Sequence, residues 1–228
     1  MEVKVNIPES LSEIKVGDYQ DFIRIASKEG NDDLFIRQKM VQIFCNIPLL
    51  AVSKMKRSDF MMVSNAILST LQEKCEFVDR FELDGKPFGF IPNLNTMSLG
   101  EFIDLDSYIK ELDDHHKLMA VLYRPITIEK KGGYLIEDYE GSSKYAELMK
   151  YAPVSVMLGA KVFFWKLAKQ LLRISPKYLG RAIAKDKRAA AVLEKNGLGI
   201  STYIRLLEET CSSLEMSLQH PYERLSLS

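Results

Sequence analysis

Cysteine is scarce in this chain, with only Cys45, Cys75 and Cys211 in 228 residues. An odd number at wide spacing makes neither a disulfide framework nor a paired-cysteine zinc site. Reduced thiols in a cytosol are the expectation. The opening MEVKVNIPES lacks an apolar core and a cleavage-like end, so no secretory signal is expected. A long uncharged apolar run is missing too. The longest candidate, Val154 to Ile174, is interrupted by Lys161, Lys166 and Lys169, which argues against a membrane span. There is no excess of either charge sign: Lys+Arg and Asp+Glu are both 31. The whole-chain charge therefore argues neither for nucleic acid nor against it, and the placement of the charges has to decide.

Motifs of chemistry are equally sparse. Lys131-Gly132-Gly133 reads as a hairpin turn, and Asn196-Gly197-Leu198-Gly199 as a helix stop followed by a new start. Neither has the Walker or dinucleotide-binding pattern. GxSxG and HExxH are absent, and no Cys/His dyad stands out. No catalytic residue, cofactor or metal is assigned.

What remains is an ordinary globular composition, 46% apolar and 27% charged, in a chain long enough to bury a core. Three stretches differ in character. Residues 1–74 read as a helical unit, 75–141 as a hairpin–helix–hairpin unit, and 142–228 as C-terminal helices, together one continuous compact domain. The fold class is α+β and mostly α-helical, with two β-hairpins forming a small antiparallel sheet around a helical insert.

Val3, Val5 and Ile7 alternate with polar residues and read as a short edge strand or extended arm. Helices are expected from Gly17 to Gly30, from Asp32 or Asp33 to Pro48, and from an N-cap at Ser58 to Lys74. Asp84-Gly85, flanked by apolar residues, is a strong hairpin signal. Pro87 would push the returning strand to an edge, and Gly89 between two phenylalanines implies a bulge or a close packing contact. Ser98 and Glu101 have the spacing of a capping box at the start of the insert. Tyr123-Arg124-Pro125 should end that insert, and Ile126 to Tyr139 should form the second hairpin. A long, largely buried helix is expected from Pro153, with Phe163-Phe164-Trp165 packed in the core. Further helices are expected from about Pro176 to Lys195 and from Ser201 to about Ser217.

Charge is segregated within this neutral chain. Glu101, Asp104, Asp106, Glu111, Asp113 and Asp114 crowd the insert against Lys110 alone. Acids near a helix start are favoured by its dipole and need no catalytic role. They form a solvated face or a docking surface for a basic partner. His115 and His116 are adjacent, about 100° apart around a helix, and so poorly placed to share a metal ion. Between Lys161 and Lys195 there are ten Lys or Arg and two acids, Asp186 and Glu194. Lys177, Arg181, Lys185 and Arg188 follow three-and-four spacing and would make one basic helical face. Such a face suits an acidic protein surface or a phosphate backbone. Between Lys177 and Arg188 aromatic interleaving is absent apart from Tyr178, which tilts the reading toward protein.

Two segments carry a resemblance. Ser10 to Cys45 holds EI-x(4)-YQ-x-F followed by KM-x-x-IFC, and Phe88 to Ile126 holds FGFIPNL-x-x-M-x-x-GEFIDLD and MAVLYRPI. Together they resemble virion-morphogenesis proteins of tailed bacteriophages, near tail-assembly chaperones and small tail, baseplate or head–tail assembly proteins. The resemblance covers about the first two-thirds of the chain and transfers no functional residue. It implies a non-enzymatic protein of the host cytoplasm, retained in the virion or released from it. Its contacts would be with other virion proteins or with further copies of itself.

Overall fold

The computed structural model describes residues 5–28, 30–109 and 111–185, without the side chains of residues 112, 168 and 171–185. The chain divides into two compact units, with the first boundary in sequence between Ala160 and Lys161.

The first unit opens on irregular residues 5–9 rather than a strand, with Val3 outside the described residues. Helices α1 (Val16–Ala26) and α2 (Asp33–Phe44) follow, separated by Gly30 at φ +85°. That left-handed conformation suits glycine and ends the first helical run. A short helix α3 (Leu49–Ser53) starts directly after Pro48. Five residues are too few to leave a periodic trace in sequence. Helix α4 spans Arg57–Leu71. Ser58 lies inside its first turn and bonds Asp59 instead of capping the helix. Phe22, Ile23, Ile36, Met40, Val41, Ile67 and Leu71 are almost fully buried where α1 packs on α2, and α2 on α4. Backbone bonds from Val16 to Ala152 (2.9 Å) and from Val154 to Ile14 (2.8 Å) tie the start of α1 to a later segment.

Strands β1 (Arg80–Leu83), β2 (Lys86–Phe90), β3 (Tyr123–Lys130) and β4 (Gly133–Ile136) form one antiparallel sheet in that order. The Asp84-Gly85 turn has φ of 53° and 69°. Two positive values mark a type I′ turn, the hairpin connection whose twist matches its strands. Pro87 does not make β2 an edge strand. It pairs with Glu82 on β1, while pairing with β3 starts at Phe88↔Pro125. The missing N–H therefore falls just beyond the shared ladder.

Gly89 makes the close packing contact. A Cβ there would sit 2.3 Å from the Tyr134 ring, whose hydroxyl donates to the carbonyls of Asp79 (3.0 Å) and Phe90 (2.9 Å). Tyr123 is fully buried among Phe81 and Phe90, and its hydroxyl donates to Val78 O at 2.6 Å.

Between the hairpins lie α5 (Leu99–Tyr108), a 3₁₀ turn at Leu112–Asp114, and α6 (His115–Leu122). Helix α7 (Ser143–Met149) packs on α6. Helix α8 (Val154–Lys185) starts in the first unit and runs into the second. It continues through Pro176, where a break was expected. An interior proline loses one hydrogen bond and costs about 3 kcal/mol, which a helix of 32 residues can absorb. The helix expected beyond Lys185 and the one from Ser201 lie outside the described residues. No helix among the described residues is long and apolar enough to cross a membrane.

Candidate functional site

The site begins with a helix held from behind. Ser98 Oγ accepts from the Glu101 amide at 3.2 Å, and Glu101 Oε2 accepts from the Ser98 amide at 2.6 Å. This is the reciprocal capping box. The other oxygen of Glu101, Oε1, takes Arg124 Nη2 from β3 at 2.5 Å. Both side chains are about 7% exposed, so the pair is buried. Burial alone would raise the Glu101 pKa. The Ser98 bonds and the Arg124 charge outweigh it and hold the carboxyl below its usual range. The Tyr139 ring lies 5.3 Å from the guanidinium, and its hydroxyl donates to Asp104 on α5. Near the far end of the helix, Ser142 Oγ donates to the Tyr108 hydroxyl at 3.3 Å.

With Glu101, Asp104 and Tyr108 held by Arg124, Tyr139 and Ser142, the opposite face carries Leu99, Phe102, Ile103 and Asp106. Their spacing of three, four and seven makes one stripe. Leu99 is 74% exposed, Phe102 58% and Ile103 53%. The helix is thus inverted relative to a usual amphipathic surface helix, which turns its apolar stripe to the core. Asp106 is exposed and continues the stripe, and Glu111 is exposed just beyond it.

At the N-terminal end of α5 an open cavity of about 550 Å³ is lined by Glu101, Arg124, Met97, Leu135, Glu137 and Asp138, among others. Its carboxylates outnumber its one guanidinium. Arg124 Nε and Nη1 are buried there without a hydrogen-bond partner. Glu137 is held below the usual carboxylate range, chiefly by hydrogen bonds from Lys144 and Tyr145.

The six acids read from the sequence do not form one face. Glu101 is in the buried ion pair, and Asp104 is half-buried against Tyr139. Burial removes Glu101 from any surface that a partner could touch. Asp106 and Glu111 are exposed. Asp113 is exposed but bonded to Arg24 on α1, at 2.9 Å to Nε. Asp114 pairs with Lys117 at 2.7 Å. Of the basic residues, Lys177, Arg181 and Lys185 are on helical backbone of α8, while Arg188 lies outside the described residues. His115 and His116 are both buried, and His116 Nδ1 is 3.2 Å from Gln20 Nε2. No group of three or more His, Cys, Asp or Glu that could hold a metal occurs among the described residues.

Sequence reasoning missed Arg124, Tyr139 and the Leu99–Phe102–Ile103 stripe. The stripe has a legible helical spacing. Which side of α5 faces the sheet depends on the Glu101–Arg124 pair, whose members are 23 positions apart.

No known protein family, curated protein or solved structure matches this chain. Geometry and the sequence resemblance therefore carry the functional reading.

Proposed function

We propose that this protein acts without chemistry of its own, as a bacteriophage virion-assembly or structural component working through protein–protein contacts. One observation carries the docking part of that reading. Helix α5 exposes Leu99, Phe102 and Ile103 on one face while its other face is pinned by Glu101, Asp104 and Tyr108. Contiguous exposed apolar surface is a feature of interaction sites. Full burial of three such side chains supplies about 1.5–3 kcal/mol each. Association costs about 4–15 kcal/mol before any gain appears. The stripe therefore needs help from a larger apposed surface or from charge.

The assignment to phage assembly rests on the two resembling segments. Mass spectrometry of purified virions distinguishes a retained component from a transient chaperone of the tail, baseplate or head–tail region. Normal particle yield and morphology after deletion of the gene would defeat both versions.

A second reading is nucleic-acid binding. Helical backbone at Lys177, Arg181 and Lys185 favours it, because positions four apart on a helix share one side. Phosphate contacts make affinity fall steeply with salt. Filter binding that is absent, or insensitive to salt, would retire this reading.

A further inference from the structure

We propose that Gln20 and His116 form a proton-operated latch, which ties α1 to the turn before α6 while the imidazole is neutral and releases that turn when the imidazole is protonated. This goes beyond the protein-contact reading and does not depend on it. One nitrogen makes both contacts. Gln20 Nε2 donates to the Asp113 carbonyl oxygen at 2.7 Å and lies 3.2 Å from His116 Nδ1. A carbonyl oxygen only accepts, so the amide atom facing it is the nitrogen. The second hydrogen of that nitrogen serves Nδ1, which therefore accepts and carries no proton. The neutral ring then holds its proton on Nε2. Both side chains are buried, so bulk water does not stand in for a lost partner.

Protonation turns Nδ1 into a donor and sets it against the amide hydrogens. Turning the amide over brings Oε1 to the imidazolium. The same oxygen then occupies the place of Nε2 and faces the Asp113 carbonyl, acceptor against acceptor. Gln20 can serve His116⁺ or the Asp113 carbonyl, but not both. The turn at Leu112–Asp114 loses its buried tie to α1. What remains there is the pair between Arg24 and the Asp113 side chain, 2.8 Å long and more than half exposed. Exposed pairs of this kind hold weakly.

The surroundings set the direction of the switch. Burial is the main influence holding His116 below its ordinary value of 6.5, and Lys150, just past α7, adds to it. Glu147 on α7 opposes this, as does Asp114 in the turn, while Lys117 on α6 works with Lys150. On α1, Arg24 bridges Asp21 and Asp113. The buried charges of α5 and β3, Glu101 and Arg124, are paired with each other. His116 is thus neutral at pH 7. The folded state takes up its proton at lower pH than the unfolded chain does, so the latch costs stability as pH falls below 6.5. The released turn is the one that joins α5, with its exposed stripe, to α6.

The test uses the full-length protein. Nitrogen-15 NMR of the histidine rings, with His116 assigned from the His116→Asn spectrum, is expected to show the Nε2–H tautomer at pH 7. Gln20→Glu offers the imidazolium an acceptor and should raise the His116 midpoint by about one pH unit or more, with Gln20→Met raising it less. Hydrogen exchange at residues 111–118 should lose about tenfold in protection as wild type passes its midpoint. His116→Asn keeps an acceptor near the Nδ1 position and has no proton to gain, so its protection should not fall beyond the intrinsic pH effect. Circular dichroism checks that the variants keep the fold. An Nδ1–H tautomer in wild type overturns the proposal without recourse to any variant beyond the assignment. So do equal His116 midpoints in wild type and Gln20→Glu, or the same loss of protection in His116→Asn as in wild type.

Discussion

Arg124 on β3 and Glu101 on α5 form an ion pair at 2.5 Å with both side chains buried, and that contact sets which way α5 faces. Taking two charges out of water is costly, and removing one leaves the other unpaired. Glu101→Gln or Arg124→Met alone should destabilise the protein by about 3–5 kcal/mol. The double variant should recover part of that loss, because neither charge is then stranded. Urea denaturation of all four proteins makes the comparison. Single variants as stable as the wild type would show that the pair does not hold α5.

The same carboxyl predicts acid sensitivity. Glu101 is held below its ordinary value of 4.5, so the folded state takes up its proton at lower pH than the unfolded chain does. Its stabilising contribution is complete above about pH 4.5 and is lost as pH falls through the folded value. Melting temperature measured from pH 7 downward should drop on this limb, and Glu101→Gln should flatten part of the drop. An identical limb in that variant would contradict the assignment.

Lys161 predicts a slope on the other side of neutrality. Burial pushes its ammonium from 10.5 down to about 7. Folding then releases a proton between about 7 and 10.5, and the penalty for the charge is complete below about 7. Stability should rise as pH increases from 7 toward 9. Lys161→Met should raise the melting temperature at pH 7 and remove most of that rise.

Close approaches rank the glycines. A Cβ on Gly159 would lie 2.2 Å from the Glu76 carbonyl oxygen, and one on Gly89 would lie 2.3 Å from the Tyr134 ring. Backbone yields less than a ring edge, so Gly159→Ala should be the more damaging, at about 1–3 kcal/mol or more. Gly133 has nothing within 4 Å and no positive φ, so Gly133→Ala should be close to neutral. Thermal unfolding of the three variants gives the order directly.

Apolar side chains on α5 should behave as surface, not core. Phe102→Ser and Ile103→Ser should each change folding stability by no more than about 0.5 kcal/mol. Phe22→Ser, at a fully buried position, should cost several-fold more. Large destabilisation by the α5 changes would mean that the stripe is covered within the protein.

Much of the architecture was legible because the signals are local. The Asp84-Gly85 turn, the Ser98–Glu101 capping box and the stop at Gly30 each depend on residues a few positions apart. The two hairpins and their joining into one small sheet followed from alternation and turn chemistry. The α+β, mostly helical class was recoverable from the same patterns. Helix α3 and the continuation of α8 through Pro176 were not, because five residues are too short for a period and a proline signals a break whether or not the helix absorbs it.

The candidate site was readable in part. The sequence located the insert and its acids, since charge count and helix period are properties of a linear string. Only the tertiary structure sorted those acids into a buried anchor at Glu101, a hydrogen-bonded brace at Asp104 and exposed groups at Asp106 and Glu111. The physical reason is that α5 carries two plausible inner faces. Leu99, Phe102 and Ile103 have the apolar residues that normally go inside, but Arg124, aligned opposite Gly89 in the sheet register, supplies a buried positive charge on the other side. An unpaired buried guanidinium costs more than three exposed apolar side chains, so the helix turns its carboxylate in and its hydrophobic stripe out.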